Sequence, residues 1–378
     1  EKGEYYVYVR TYNWTSPWKE GEGPGKFTLS VGGKKLVSPL GCEGSAWMWQ
    51  VAGKLSVKNV NTVIKLHDLT GFDGRCDAIY FTTEQGAVPP TEVKALEAFR
   101  RKALDLPDVA PDAGDFDLVV VGAGIAGMSA AVSAARLGCK VALVNDRPIV
   151  GGNNSSDIRV HLGGRIEQGP YKELGGLQKE FGPEKGGNAQ PANVYEDQKK
   201  MDWLKAEKNV TLFLNYHAFA VQKEDDKIVS VTAKHTETGK ELNFKAPVFA
   251  DCTGDGTIGY LAGADYLMGR EGRDEYGESI APEKADKLTM GSSIQWYSED
   301  KGKATSFPEF NYGVRFNEEN CEKVMMGEWT WETGMNFDQI KDFERIRDYG
   351  MLVVYSNWSF LKNHMKENAP YKNRQLGW

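Results

Sequence analysis

The period of apolar positions changes several times along the chain, and the changes divide it into segments. Over residues 1–85 the pattern is short and strand-like. Residues 5–9 are a β-branched and aromatic run. In residues 26–31, Phe27, Leu29 and Val31 alternate onto one face, and Gly32-Gly33 follows as a turn. Residues 54–57, 60–66 and 78–82 are further strand candidates, so residues 1–88 are expected to form a small antiparallel β-sandwich. Residues 89–114 read as a linker. Val88-Pro89-Pro90 opens it, residues 91–102 suit a helix with Thr91 as N-cap, and residues 106–114 are rich in breakers. From residue 115 the pattern turns to α/β. Residues 115–121 are an apolar strand, 128–137 a helix stopped by Gly138, and 140–144 a second strand. Residues 210–214 and 245–250 are further strands, with a hairpin of 228–234 and 242–245 around Thr238-Gly239.

Composition adds exclusions. The chain has 378 residues, 10 Trp, 16 Tyr and 16 Phe, too aromatic for disorder and long enough for two or three domains. No apolar run approaches the roughly 18 residues of a membrane-spanning helix. A net charge of −7 with no basic stripe argues against nucleic acid as a partner. Five scattered cysteines form no CxxC, so no structural zinc is expected. A single pair such as Cys42–Cys76 stays open, and with it the compartment. The carboxylates of residues 67–77 lack metal spacing and read as a polar turn with an Arg75–Asp pair, so no metal site is assigned. Trp14, Trp18, Trp47 and Trp49 fit a sandwich core better than a sugar platform.

The chemistry starts at Gly122-Ala123-Gly124-Ile125-Ala126-Gly127, placed between the first strand of the α/β region and its helix. There Gly122 permits the tight turn, Gly124 lets a diphosphate approach the backbone, and Gly127 packs the helix against the strand. The free N–H groups of Ile125, Ala126 and their neighbours then face an anion. An acidic residue ordinarily closes the second strand. Here Asn145 stands at that position, able to hydrogen-bond a ribose hydroxyl, and Asp146 and Arg147 follow. A second glycine pair comes next, in Gly151-Gly152-Asn153 with Ser155, and a third glycine segment enters at Thr253-Gly254-Asp255.

On these residues, with Ile158-Arg159-Val160-His161 and the turn at 67–77, the chain resembles the glutathione-reductase-like FAD-dependent oxidoreductases, and among them a bacterial group often labelled xanthan lyases. The resemblance covers most of the chain. It implies a Rossmann-like FAD-binding domain over 115–378, with FAD held by 115–165 and 209–265 and a substrate region at 266–345. It also implies backbone near Ala218 facing the adenine, and FAD as cofactor. It implies a periplasmic or secreted bacterial protein, of which this chain is expected to be a fragment at both ends.

Asp157-Ile158-Arg159-Val160-His161-Leu162 alternates with period two, which predicts a strand with Ile158, Val160 and Leu162 inward. Arg159 and His161 would then face the flavin's reactive edge, Arg159 stabilising negative charge and His161 removing a hydroxyl proton. The alternative is a wet strand face on which these groups pair with each other. Trp296, Trp329, Trp331 and Glu332 are candidates for a substrate wall, with core packing favoured for the tryptophans. The function expected is hydride transfer to flavin from an alcohol or amine carbon of a small molecule, with a carbohydrate or glycan as the substrate class. The rivals are a redox-neutral oxidation–elimination of glycosides and a carbohydrate-binding protein with a vestigial nucleotide domain. Oligomeric state is not legible in the sequence.

Overall fold

The computed structural model describes residues 1–164, 167–328 and 330–378. Contacts divide the chain into two compact units. The first is Glu1–Ala103 with Ser298–Met325 and Glu344–Gly377; the second is Leu104–Tyr297 with Met326–Phe343 and Trp378.

In the first unit, strands β1 (Gly3–Tyr12), β2 (Phe27–Val31), β3 (Lys34–Leu40), β4 (Met48–Val57), β5 (Ile64–Asp68) and β6 (Arg75–Thr82) make two three-stranded antiparallel sheets. Their orders are β4-β1-β6 and β3-β2-β5. Val7, Val9, Phe27, Leu29, Val31 and Leu36, drawn from both sheets, share one buried cluster. Val31 pairs with Lys34 across Gly32-Gly33, whose φ values are 57° and 82°. A two-residue hairpin of this kind needs positive φ at both positions, which glycine adopts without a Cβ clash. Helix α1 (Val93–Ala103) belongs to this unit and lays Leu96 on Tyr8 and Trp49. Its cap is Glu92 rather than Thr91. The Glu92 carboxylate accepts the N–H groups of Lys94 and Ala95 at 3.1 and 2.8 Å, which hold it below the usual carboxylate range.

Residues 298–325 and 344–377, which the sequence pattern places with the α/β region, make their contacts in the first unit. The helix Phe343–Asn363 joins Leu352 to Trp14, Phe72 and Phe310. Trp14 is fully buried with its indole N–H on the Phe72 carbonyl, so it is core. The partner of Arg75 is Asp348, at 2.8 Å, and Asp73 accepts the Tyr355 hydroxyl at 2.6 Å. The polar turn at 67–77 is therefore a docking edge for the helix. Cys42 and Cys76 are free thiols, and burial pushes the Cys76 thiol up to about 11. Near the helix end, Thr305 Oγ1 and the carbonyls of Tyr371, Lys372 and Arg374 all lie within 3.0 Å of the buried Lys362 ammonium and share its N–H donors.

The second unit begins with β7 (Asp112–Asp115), within residues expected as linker. It pairs in parallel with Asn243 and Lys245, and both side chains donate to the Asp112 carboxylate, at 3.2 and 2.8 Å. Then come β8 (Leu118–Val121), α2 (Ile125–Arg136), β9 (Val141–Val144), α3 (Gly176–Phe181), α4 (Asp197–Lys205), β10 (Val210–Phe213), β11 (Tyr216–Glu224), β12 (Lys227–His235), β13 (Glu241–Lys245), β14 (Val248–Asp251) and α5 (Thr257–Leu261). A parallel sheet runs β10-β9-β8-β14, and a second sheet runs β11-β12-β13-β7. The central strands are buried on both faces, as an enclosed parallel sheet requires. Val120, Val141 and Leu143 pack on Met128, Ala131 and Ala135 of α2. Val119, Val121, Ala142 and Val144 pack on Val231, Ala233 and Phe244 of the second sheet. Arg136, in the last turn of α2, makes a two-pronged bond to Glu180 and a third to Glu207.

Two outcomes are expected. Lys362→Met removes the buried donor that these acceptors share and lowers stability by about 1–3 kcal/mol, read as a fall in melting temperature of the purified chain. Glu180 is held down to about 2 by Arg136 and then by Trp203, against an ordinary 4.5. A depressed carboxyl contributes stability above 4.5 that is lost as pH falls towards 2. The advantage of the wild-type chain over Glu180→Gln in urea titrations should therefore shrink over that interval.

Candidate functional site

The site is built where β8 ends. Gly122 has φ 99°, and a Cβ there would meet the Cys252 carbonyl oxygen at 2.2 Å, so the first and third glycine segments touch only because this residue is glycine. A Cβ on Gly127 would stand 1.8 Å from the Gly122 oxygen. At Gly124 the space is open instead: the nearest atom to an added Cβ is the Gly152 Cα, 3.8 Å away. Gly124 is the N-cap of α2, no side chain among the described residues caps the helix, and no acidic residue lies in its first turn. The N–H groups of Ile125, Ala126 and Gly127 therefore keep the unmet donors of a helix start, with the positive end of the helix dipole behind them.

The second glycine segment lies beside the first. Gly151 donates its N–H to the Ala123 carbonyl at 2.8 Å, and Gly124 and Gly151 form a parallel bridge. Ser155 is buried and turns its hydroxyl onto the Gly152 carbonyl at 2.6 Å, while Asn153 is exposed. The third segment is tied by Asp251, which sequence reading did not single out. One of its oxygens accepts the Thr253 N–H and hydroxyl, at 3.0 and 2.7 Å, and the other accepts the N–H groups of Ile258 and Gly259 at the start of α5. Gly254 and Asp255 are left exposed beyond it.

Asn145 is a correction to expectation. It is buried; its Oδ1 accepts the Ala123 N–H at 3.0 Å, and its Nδ2 donates to the carbonyls of Arg147 and Ile149 at 3.1 and 2.8 Å. The amide is spent on holding the glycine loop to the turn after β9. The exposed carboxylate at that strand end is Asp146, 3.8 Å from His217 Nδ1, and His217 holds it below the usual carboxylate range. Ala218 lies in β11 of the second sheet and is buried in the core beneath it.

The expected strand at 157–162 is also overturned. Residues 153–160 fold back as a compact loop: the Arg159 N–H goes to the Ser155 carbonyl at 2.8 Å, the Val160 N–H to Asn153 at 2.9 Å, and Asn154 Nδ2 to Val160 at 2.9 Å. Arg159 takes φ 63° and is buried, so the inward and outward residues are not those that alternation predicts. Its guanidinium donates to the Ser156 and Gln190 carbonyls at 2.8 and 3.3 Å and lies 4.1 Å over the Trp378 ring. His161 is exposed. Beneath the loop, the Tyr195 hydroxyl donates to the Arg159 carbonyl at 2.6 Å and stands 2.9 Å from the Gly187 carbonyl. The fully buried Lys200 donates to the Tyr195 carbonyl, and Asp197 accepts the Ser156 N–H at 3.1 Å. These supports escape sequence reading because their partners lie 5 to 41 residues away.

Trp296 is buried and not a substrate wall; Trp331 is half-buried and Glu332 exposed; Trp329 lies outside the described residues.

A family model described as FAD dependent oxidoreductase matches residues 117–374. The chain belongs to the FAD dependent oxidoreductase family. Among curated relatives, an opine oxidase subunit from Agrobacterium tumefaciens (strain Ach5) is 48% identical over 63 residues, 15% of this chain and 12% of that protein. The soluble pyridine nucleotide transhydrogenase of Ectopseudomonas mendocina (strain ymp) is 56% identical over 39 residues, 10% of this chain and 8% of that one. The chain thus spans a small part of the length of the curated relatives it matches. Among solved structures, thioredoxin reductase from Streptococcus pyogenes MGAS5005 is similar over 36% of this chain and 30% of its own, at 17% identity and a TM-score of 0.21.

FAD is the cofactor of the family, and the site fits it chemically: bare donors at a helix start, a glycine without steric neighbours in front of them, and a carboxylate at the next strand end. The two glycines of the loop predict different outcomes. Gly124→Ala, with φ −69° and open space, should fold with an unchanged melting temperature yet purify with little flavin absorbance. Gly127→Ala should lose stability itself, because its methyl meets backbone.

Proposed function

We propose that the chain is the FAD-binding part of an oxidoreductase that takes hydride from an alcohol or amine carbon of a small polar molecule. The observation that carries this reading is the meeting of the three glycine segments in front of the uncapped start of α2, with His161 exposed on the loop that leaves the second segment.

On this reading the N–H groups of Ile125, Ala126 and Gly127 hold the diphosphate, and Gly152 and Gly254 keep the backbone open around it. Asp146, rather than Asn145, hydrogen-bonds the adenosine ribose, with His217 beside it. Asn153, Thr253 and Asp255 serve the ribityl side. FAD supplies the acceptor for a hydrogen and two electrons when bound, and the protein supplies orientation and proton handling. His161 takes the proton of the substrate hydroxyl or amine, so that the carbon releases its hydride without building a cation. Arg159 is a buried positive charge behind the loop, and its hydrogen bonds keep His161 presented. The substrate class favoured is a carbohydrate, on the half-buried Trp331 next to the exposed carboxylate of Glu332, a pairing suited to a sugar's apolar face and hydroxyls.

His161→Asn should purify with the same flavin content as wild type and reduce its flavin with substrate about 10²–10⁴-fold more slowly in anaerobic stopped flow, over a panel of polyols and glycosides. An unchanged rate removes His161 from the mechanism.

A further inference from the structure

We infer that Glu328 and Asn188 fix the tautomer of His161, placing its proton on Nδ1 and leaving Nε2 as the bare nitrogen. This rests on the reading of His161 as a base for its catalytic meaning, but not for its chemistry.

The inference follows from which atoms can donate. A carboxylate only accepts hydrogen bonds. Glu328 Oε2 stands 3.4 Å from the Asn188 amide, so the group turned towards it is Nδ2, which donates. The opposite orientation would set two acceptors face to face. With Nδ2 committed, Asn188 Oδ1 points the other way, and it accepts twice from one residue: from the His161 backbone N–H at 2.9 Å and from His161 Nδ1 at 3.0 Å. An amide oxygen cannot donate, so Nδ1 must carry the ring proton. In a neutral imidazole that leaves Nε2 with its lone pair free.

The surroundings hold this arrangement in place. Asn188 is buried, its carbonyl accepts the Gln190 side-chain amide at 3.0 Å, and the next residue, Ala189, donates its N–H to Arg159 at 2.9 Å. Gly163 lies where a side chain would cover the bare nitrogen: an added Cβ would come 2.6 Å from Nε2. The histidine ring is thus anchored on one nitrogen and uncovered on the other. Asn188 and Glu328 touch neither cofactor nor substrate in this scheme. They are positioning residues, acting through His161, and they ensure that the nitrogen offered to a substrate proton can accept it.

The test is ¹⁵N NMR of the full chain labelled at its five histidines, above the imidazole titration range, with His161 assigned by the signal lost in His161→Asn. The expected result is a pyrrole-type Nδ1 and a pyridine-type Nε2, the reverse of the tautomer a free histidine side chain prefers. In Asn188→Ala the two signals should shift towards the free-histidine pattern. Asn188→Asp combined with Glu328→Gln, in which the carboxylate can accept both from the new amide and from Nδ1–H, should keep the wild-type pattern and so serves as the rescue. A wild-type spectrum with the proton on Nε2, or an Asn188→Ala spectrum identical to wild type, overturns the inference. The wild-type spectrum decides even where a variant fails to fold. If Nδ1 carries the proton yet His161→Asn reduces its flavin normally, the tautomer assignment stands and the catalytic reading falls.

Discussion

The unmet N–H donors at the start of α2 are the constraint on which the rest of the second unit depends. A helix begins with donors that its own turns cannot satisfy, and here no side chain among the described residues satisfies them. Keeping them bare demands that nothing crowd them, which explains the open side of Gly124. It also demands that the loop be rigid, which explains Gly122 and Gly127 pressed against backbone on their other sides. Asn145 supplies the remaining tie: by accepting from the Ala123 N–H it secures the loop to the end of β9. A carboxylate could accept that bond but could not donate the two that Asn145 gives to the carbonyls of Arg147 and Ile149.

The same logic of satisfied backbone runs into the loop after Gly151-Gly152. Its fold is irregular, so its polar groups need partners that neither helix nor sheet provides. Lys200, Asp197 and Tyr195 provide them from below, and Arg159 turns its charge inward onto carbonyls and an aromatic ring. A buried lysine is costly, and burial lowers its pKa. That cost is offset where the ammonium meets the Tyr195 carbonyl, with the Asp197 carboxylate 3.8 Å away. His161 then stands outside a loop whose inner face is held by Arg159, the Asn154 Nδ2 donor and Tyr195.

The first unit solves a related problem with different means. Its sheets are short, and the helix Phe343–Asn363 extends their core through Trp14, Phe72, Phe310 and Leu352. Asp348 is buried, which pushes its carboxyl up although Arg75 and Arg347 both lie against it, so the desolvation cost outweighs the attraction of two guanidinium groups. Such a cluster specifies where the helix docks more than it adds stability.

By itself the sequence determined the elements whose partners are close along the chain. The Gly32-Gly33 hairpin, the βα unit around Gly122–Gly127 and the apolar central strands are local statements of φ preference, period and turn chemistry. What the sequence could not determine were contacts set by distance in space. Alternation at 157–162 reads as a strand, yet strand pairing needs a neighbouring edge, and the loop's own hydrogen bonds turned Arg159 inward. Asn145 looked like a ribose ligand because its position, not its neighbours, was visible. Asp251 opened a glycine motif without a role of its own, and Asn188, Glu328 and Lys200 carried no motif at all. Their roles arise only where folding brings a lone acceptor opposite a lone donor, and period and spacing along a chain hold no record of that meeting.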